Sequence, residues 1–262
     1  MIIAGSDSGG GAGIQADIKT VMALGGYATT AITALTAQNT QGVVAVHDVP
    51  AAFIALQIEL VLADIGADCI KIGMLSRPDV VDAVCDVLAT QAQGVPVVVD
   101  PVMIAKGGHS LLDAAAVEHV RRRLLPMAYV LTPNLPEAEA LAGADDLGRV
   151  ELAQRLLDLG PKAVLLKGGH ATGPIVVDVL VQGGRAPESF ASPRIETRHT
   201  HGTGCTLASA IATGLAQGLD VAAAAARARA YVLEAIRTAP GFGSGHGPLN
   251  HAHAVRPFFA QD

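Results

Sequence analysis

What most limits the possible folds of this chain is a regular exchange of short apolar runs with helical ones. Runs 69–72, 95–99, 129–132 and 163–166 are each a few aliphatic or β-branched residues long. Between them, 77–90, 113–125, 134–141 and 150–159 carry apolar residues at helical spacing. Run 95–99 is apolar throughout, as expected of a strand covered on both faces of a parallel sheet. Repeated strand–helix alternation predicts an α/β fold, a three-layer α/β/α sandwich around a mostly parallel sheet. In such folds ligands bind beyond the carboxyl ends of the strands.

The flanks fit the same scheme. A strand at 1–4 leads into the loop Gly5-Ser-Asp-Ser-Gly-Gly-Gly-Ala-Gly13 and a helix at 14–24. Strands follow at 27–35 and 43–49. Pro50 opens a helix whose apolar face is expected at Phe53, Leu56, Ile58, Leu60 and Val61. Around Gly183-Gly184, 175–181 and 190–198 read as antiparallel edge strands. Helices at 203–216 and 221–237 precede a tail with no clear element. No linker interrupts the pattern, so 1–262 is expected to be one domain.

Composition excludes some functions. Half of the 262 residues are hydrophobic, enough for a large core, while aromatics are 3% and Trp is absent. With a net charge of -6, and no basic run longer than Arg121-Arg122-Arg123, nucleic acid is not an expected partner. That triplet reads as a solvated helix face. No apolar run reaches membrane-spanning length. Three cysteines, Cys69, Cys85 and Cys205, point to a reducing, cytoplasmic setting, with Cys69 and Cys85 in the core.

The sharpest chemical signal is His201-Gly202-Thr203-Gly204-Cys205, directly before an Ala- and Leu-rich helical run. Its glycines place free N–H groups at a helix N-terminus, which favours a phosphate. Cys205 falls in the first turn, where a lowered thiol pKa is expected. The first glycine loop fits neither the dinucleotide fingerprint nor a Walker A loop. With Asp7 and two serines it reads as a loop that covers a ligand. Gln38 and Asn39 end a strand, where an amide offers a donor and an acceptor to a heterocycle, or merely satisfies a turn. Asp17 lies in a helix's first turn, a place also favoured by the dipole alone.

Asp100 follows an apolar strand and is a candidate for Mg²⁺ or phosphate. Asn134-Leu-Pro-Glu137 also follows a strand, and equally fits a plain helix cap. Lys167-Gly168-Gly169-His170 ends another strand and suits an anion, or a turn. His246, His251 and His253 read as tail or interface residues, not metal ligands.

Together these blocks resemble the hydroxymethylpyrimidine/phosphomethylpyrimidine kinases, within the ribokinase-like superfamily. The resemblance rests on Ala4 to Gly9 with Gly11 to Asp17, Thr33 to Asn39 and Lys71-Ile-Gly-Met-Leu75. It continues through Val99-Asp-Pro-Val-Met103, Leu131 to Ala138, Leu166 to His170 and Thr200 to Cys205. It runs nearly end to end. It implies ATP- and Mg²⁺-dependent phosphorylation of 4-amino-5-hydroxymethyl-2-methylpyrimidine, then of its monophosphate, by a cytoplasmic homodimer. By the same carry-over Gln38, Asp17, Met74, Val102, Gly5 and Ala12 would bind the pyrimidine. Asn134, Lys167 and Thr200 would bind the nucleotide, together with Gly202, Thr203 and Gly204. Those three residues and Cys205 would form the catalytic anion hole, and the chemistry of phosphoryl transfer makes Cys205 the proton acceptor, or at least a polar neighbour of the substrate hydroxyl. Asp100 and Glu137 would organise the metal. The shared architecture leaves a pyridoxal or pyridoxine kinase as the alternative, and a non-catalytic pyrimidine-binding regulator as an alternative of another class.

Overall fold

The structure is a computed structural model that describes residues 1–103, 111 and 114–256. Its elements run β1 (Ile2–Asp7), α1 (Gly13–Ala23), β2 (Thr30–Asn39), β3 (Gly42–Asp48), α2 (Ala51–Asp64), β4 (Ile70–Ile72), α3 (Pro78–Gln91) and β5 (Val97–Val99). Then come α4 (Ala114–His119), β6 (Val130–Leu131), α5 (Leu135–Ala142), α6 (Arg149–Leu157), β7 (Ala163–Leu166), β8 (Ile175–Gln182), β9 (Glu188–Pro193), α7 (Thr203–Ala216) and α8 (Val221–Arg237). The helix expected at 113–125 is seen from Ala114, with residue 113 outside the described part. Past His119 it widens into a π-turn.

Among the described residues nine strands form one sheet, in the order β3-β2-β1-β4-β5-β6-β7-β8-β9. The six from β2 to β7 are parallel to their neighbours, and β3, β8 and β9 are antiparallel additions. Alternation along the short central strands sends side chains to opposite faces. Val97 and Val99 pack with α2 to α6, through residues such as Ile58, Val84, Ala138 and Leu152. Val98 faces the other way, onto Leu207, Ile211 and Ala228 of α7 and α8. This is the expected three-layer sandwich, with α1 beside α7 on the second face. Among the described residues no helix is long and apolar enough to cross a membrane.

Some details depart from the sequence reading. Strand β1 runs on to Asp7, so Gly5 lies inside it, beside a register shift against β2. Helix α2 is rotated from expectation: Ile54 and Ile58 are in the core, while Phe53 is 55% and Leu60 63% exposed. The Arg121–Arg123 triplet does lie on a solvated face, where Arg123 also pairs with Asp82 and Asp86 of α3. The tail histidines also differ. His251 is buried in a 3-10 turn (His251–Ala254) and shares a hydrogen bond with Thr206, Nε2 to Oγ1 2.9 Å. His253 and His246 meet the carbonyls of Tyr231 and Arg198. Cys69 and Cys85 are buried as expected.

Candidate active site

The carboxyl ends of β1, β4, β5, β6 and β7 open into one cavity of about 700 Å³. The N-terminus of α7 projects into it. Gly202 caps that helix with φ 83°, a conformation costly for any side chain. A Cβ there would also overlap the carbonyl of Gly11. Thr203 is locked to Thr200, its Oγ1 donating to the Thr200 carbonyl at 2.7 Å. Gly204 faces the opposite wall: a Cβ on it would stand 3.3 Å from both Asp100 Oδ2 and Lys167 Nζ. The first turn of α7 therefore meets the acid–lysine group directly. All of Thr200, Gly202, Thr203, Gly204 and Cys205 line the cavity.

On the acid side, Lys167 Nζ donates to Asp100 Oδ1 at 2.8 Å and lies 3.8 Å from Glu137 Oε2. Burial works against the ammonium, but the two carboxylates outweigh it and push Lys167 up, so it stays charged. Burial, with Asp100 adding repulsion, raises Glu137 against the pull of Lys167. Asn134 caps α5 in a reciprocal box: Glu137 N donates to Asn134 Oδ1 at 2.9 Å, and Asn134 N to Glu137 Oε2 at 2.8 Å. The plain helix-cap reading of this pair is thus realised, and the same two residues line the cavity.

At the other end, Gly5, Ala12, Gln38, Met74 and Val102 line the same cavity. Met74 is held through its carbonyl, which accepts from Thr33 Oγ1 at 2.7 Å. The backbone of Gln38 is clasped by Ser8, N to Oγ 2.9 Å and Oγ to O 2.8 Å. Its side-chain amide makes no hydrogen bond among the described residues.

Asp17 is not among the cavity residues. Its carboxylate is fully buried, takes both 2.8 Å and 3.0 Å bonds from Lys71 Nζ, and accepts from Ser209 Oγ at 2.7 Å. Asp17 sits one turn into α1 on the face pressed against β4 and α7, so its acid meets the sheet and not a ligand. Lys71, not Asp17, reaches the wall. The signal was visible: a lysine in an otherwise apolar buried strand needs a carboxylate partner. The sequence motif containing His201 gave that residue no role of its own, and the apolar lining residues Val176, Ile195, Leu233 and Ile236 carried no sequence signal.

Cys205 differs from expectation in its acidity. It is partly open to the cavity, yet burial pushes its thiol up to about 12. Lys71 pulls it down, and Asp17 and Asp100 push it further up. The helix dipole is too small to offset the loss of solvation. Cys69 and Cys85 are also raised to about 12. Cys205 differs from them in its access to the cavity and in the charged groups around it.

The donors and acids fit a divalent cation of the Mg²⁺ type. Asp100 and Glu137 offer only hard oxygen, and Lys167 already offsets one of their two charges. Among the described residues no group of three or more metal-binding side chains gathers. With only two carboxylates at hand, such an ion would keep much of its hydration.

An anion-binding helix start facing a lysine and two acids, at the strand ends of this sandwich, defines a small-molecule phosphotransferase of ribokinase-like fold. The phosphomethylpyrimidine kinase family model matches residues 7–250, and the chain belongs to that family. It is 53% identical, over 97% of its length, to a thiamine biosynthesis bifunctional protein of Geobacter sulfurreducens, of which it spans 52%. It is 45% identical to a hydroxymethylpyrimidine/phosphomethylpyrimidine kinase of Streptomyces coelicolor, covering 97% of this chain and 94% of that one. Among solved structures, an ADP complex of Bacillus subtilis pyridoxal kinase superposes with a TM-score of 0.87 at 34% identity, over 96% of both chains.

Proposed function

We propose that this chain uses ATP to phosphorylate 4-amino-5-hydroxymethyl-2-methylpyrimidine and then its monophosphate. The observation that carries this reading is the Gln38 amide, without a hydrogen-bond partner among the described residues and facing the cavity that ends at the α7 anion site. An amide there matches the donor and acceptor of an aminopyrimidine edge. Gly5, Ala12, Met74 and the backbone at Val102 shape the slot. Asp17 supports it from behind, through Lys71.

Phosphoryl transfer needs positioning and charge stabilisation more than covalent chemistry. The N–H groups at Gly202, Thr203 and Gly204 take the charge that develops on the transferred group. Lys167 and Thr200 hold the nucleotide phosphates, with Asn134 at their side. Asp100 and Glu137 would hold Mg²⁺, which supplies neutralisation of the nucleotide when bound. Cys205, a neutral thiol at pH 7, serves as a polar neighbour of the acceptor hydroxyl and not as a covalent nucleophile.

Pyridoxal as acceptor is the second reading, favoured by the superposition on the pyridoxal kinase. The experiment is ATP consumption with the hydroxymethylpyrimidine, its monophosphate and pyridoxal, side by side. The proposal requires turnover of the first two. Turnover of pyridoxal alone supports the second reading, and binding without turnover supports a regulator.

The same proposal takes the chain as one domain, a homodimer, working in the cytoplasm. The exposed stripe of Phe53, Leu56 and Leu60 on α2 supports the dimer, and the three free thiols support a reducing compartment. Sedimentation of the wild-type protein checks the dimer.

A further inference from the structure

Asp7 and His201 are left without a task by the mechanism above. The Asp7 carboxylate is 1% exposed and accepts four N–H groups. Three come from the first glycine loop: Gly9 at 2.7 Å, Gly11 at 3.0 Å and Ala12 at 2.8 Å. The fourth is His201 Nε2, at 2.9 Å. Burial alone would raise the Asp7 carboxyl, but the bonds from His201, Ala12 and Gly9 outweigh it and hold it below the usual carboxylate range. An ionised carboxylate only accepts, so Nε2 carries a hydrogen whether the ring is neutral or charged.

His201 directly precedes Gly202, the cap of α7. The two loops touch: a Cβ on Gly11 would stand 2.6 Å from His201 Cδ2. The backbone of His201 is tied on its other side, donating from N to the Gly247 carbonyl at 3.1 Å. Its ring is thus the polar bridge between the loop beside the pyrimidine slot and the helix start that meets phosphate.

We propose that His201 is a positioning residue, which through Asp7 fixes the glycine loop at residues 8–12 against the phosphate-binding start of α7. The inference rests on the kinase reading above. Loss of the bridge lets acceptor and phosphate sites drift apart, and small misplacements of reacting groups are costly. A role in stability alone would be indifferent to which polar group replaces the imidazole.

The test compares H201Q, H201N, D7N and the double variant D7N/H201N in steady-state turnover of ATP and the hydroxymethylpyrimidine, with thermal unfolding alongside. A Gln amide reaches about as far as Nε2, whereas an Asn amide stops near the Nδ1 position. H201Q is expected to keep kcat/KM for the heterocycle within about threefold of wild type, and H201N to lose about tenfold or more. KM for ATP stays within about twofold in both. The double variant falls no more than about twofold below D7N, because the bridge is already broken. Equal kcat/KM in H201Q and H201N overturns the proposal, as do losses from D7N and H201N that multiply. If D7N does not fold, the contrast of H201Q with H201N decides alone. If wild type turns over pyridoxal and not the pyrimidine, the substrate reading fails and the same comparison is made with pyridoxal. Wild type that turns over neither contradicts both.

Discussion

Two lysine–carboxylate pairs flank Cys205, and they have been put to opposite uses. Lys71 and Asp17 are 1% and 0% exposed, joined by two hydrogen bonds with a third from Ser209. Lys167 is 15% exposed and shared between Asp100 and Glu137, at 2.8 Å and 3.8 Å. The first group is one acid and one base, both buried and paired with each other, with only the Lys71 end reaching the cavity wall. The second is open, with an unbalanced negative charge and a wall toward the cavity. A closed buried pair fixes geometry, since neither charge can leave without stranding the other. An open one can exchange partners for phosphate and metal, which is what a kinase site requires.

The widest separation of the two is expected from removing each lysine. Lys71→Met strands a fully buried carboxylate and should cost about 3–5 kcal/mol of stability, seen as a large fall in Tm. Lys167→Met should lower turnover about 10²–10³-fold, as loss of a charge-stabilising donor does. Its Tm should fall less, because Glu137 is already raised and can take up a proton. Equal Tm losses would erase the distinction.

Effects beside the open pair are smaller. Gln38→Ala should raise KM for the pyrimidine by one to two orders of magnitude, from about 1–3 kcal/mol of lost hydrogen bonding, and leave ATP alone. An unaltered KM would remove Gln38 from the slot. Cys205→Ser should cost less than about tenfold in turnover, because a raised thiol does not act as a general base at neutral pH. A much larger loss would restore Cys205 as proton acceptor.

Away from both pairs, burial pushes His251 down to about 4 from 6.5. The folded protein holds it neutral, while the unfolded chain takes the proton first. Its contribution to stability is complete above about 6.5 and is lost as pH falls from there toward 4. Denaturant midpoints across this window should flatten in His251→Gln.

The closed pair also shows where sequence stops being legible. The alternating apolar runs gave away the sandwich, because residues such as Val97 to Val99 suit nothing but a covered strand. Block spacing gave most cavity residues, Gln38, Asp100, Glu137 and Lys167 among them. What escaped was orientation. Helix α2 is apolar on nearly every side from Phe53 to Leu62, so its pattern could not say that Ile54 and Ile58 face inward. Asp17 looked equally suited to a ligand or a helix dipole, and only the position of β4 beside α1 assigns it to Lys71. The acidity of Cys205 depended in the same way on how much protein surrounds it.

The sharpest single measurement is turnover at saturating ATP as Mg²⁺ is titrated, in Glu137→Gln against wild type. With the open cluster as the metal-organising site, the variant should need about tenfold more Mg²⁺ for half-activity, through loss of one oxygen charge. Its Tm should change by no more than a helix-cap substitution allows, about 1 kcal/mol. A Mg²⁺ curve superimposable on that of wild type would mean that Glu137 is only the cap of α5, and that the open pair is no more a catalytic site than the closed one.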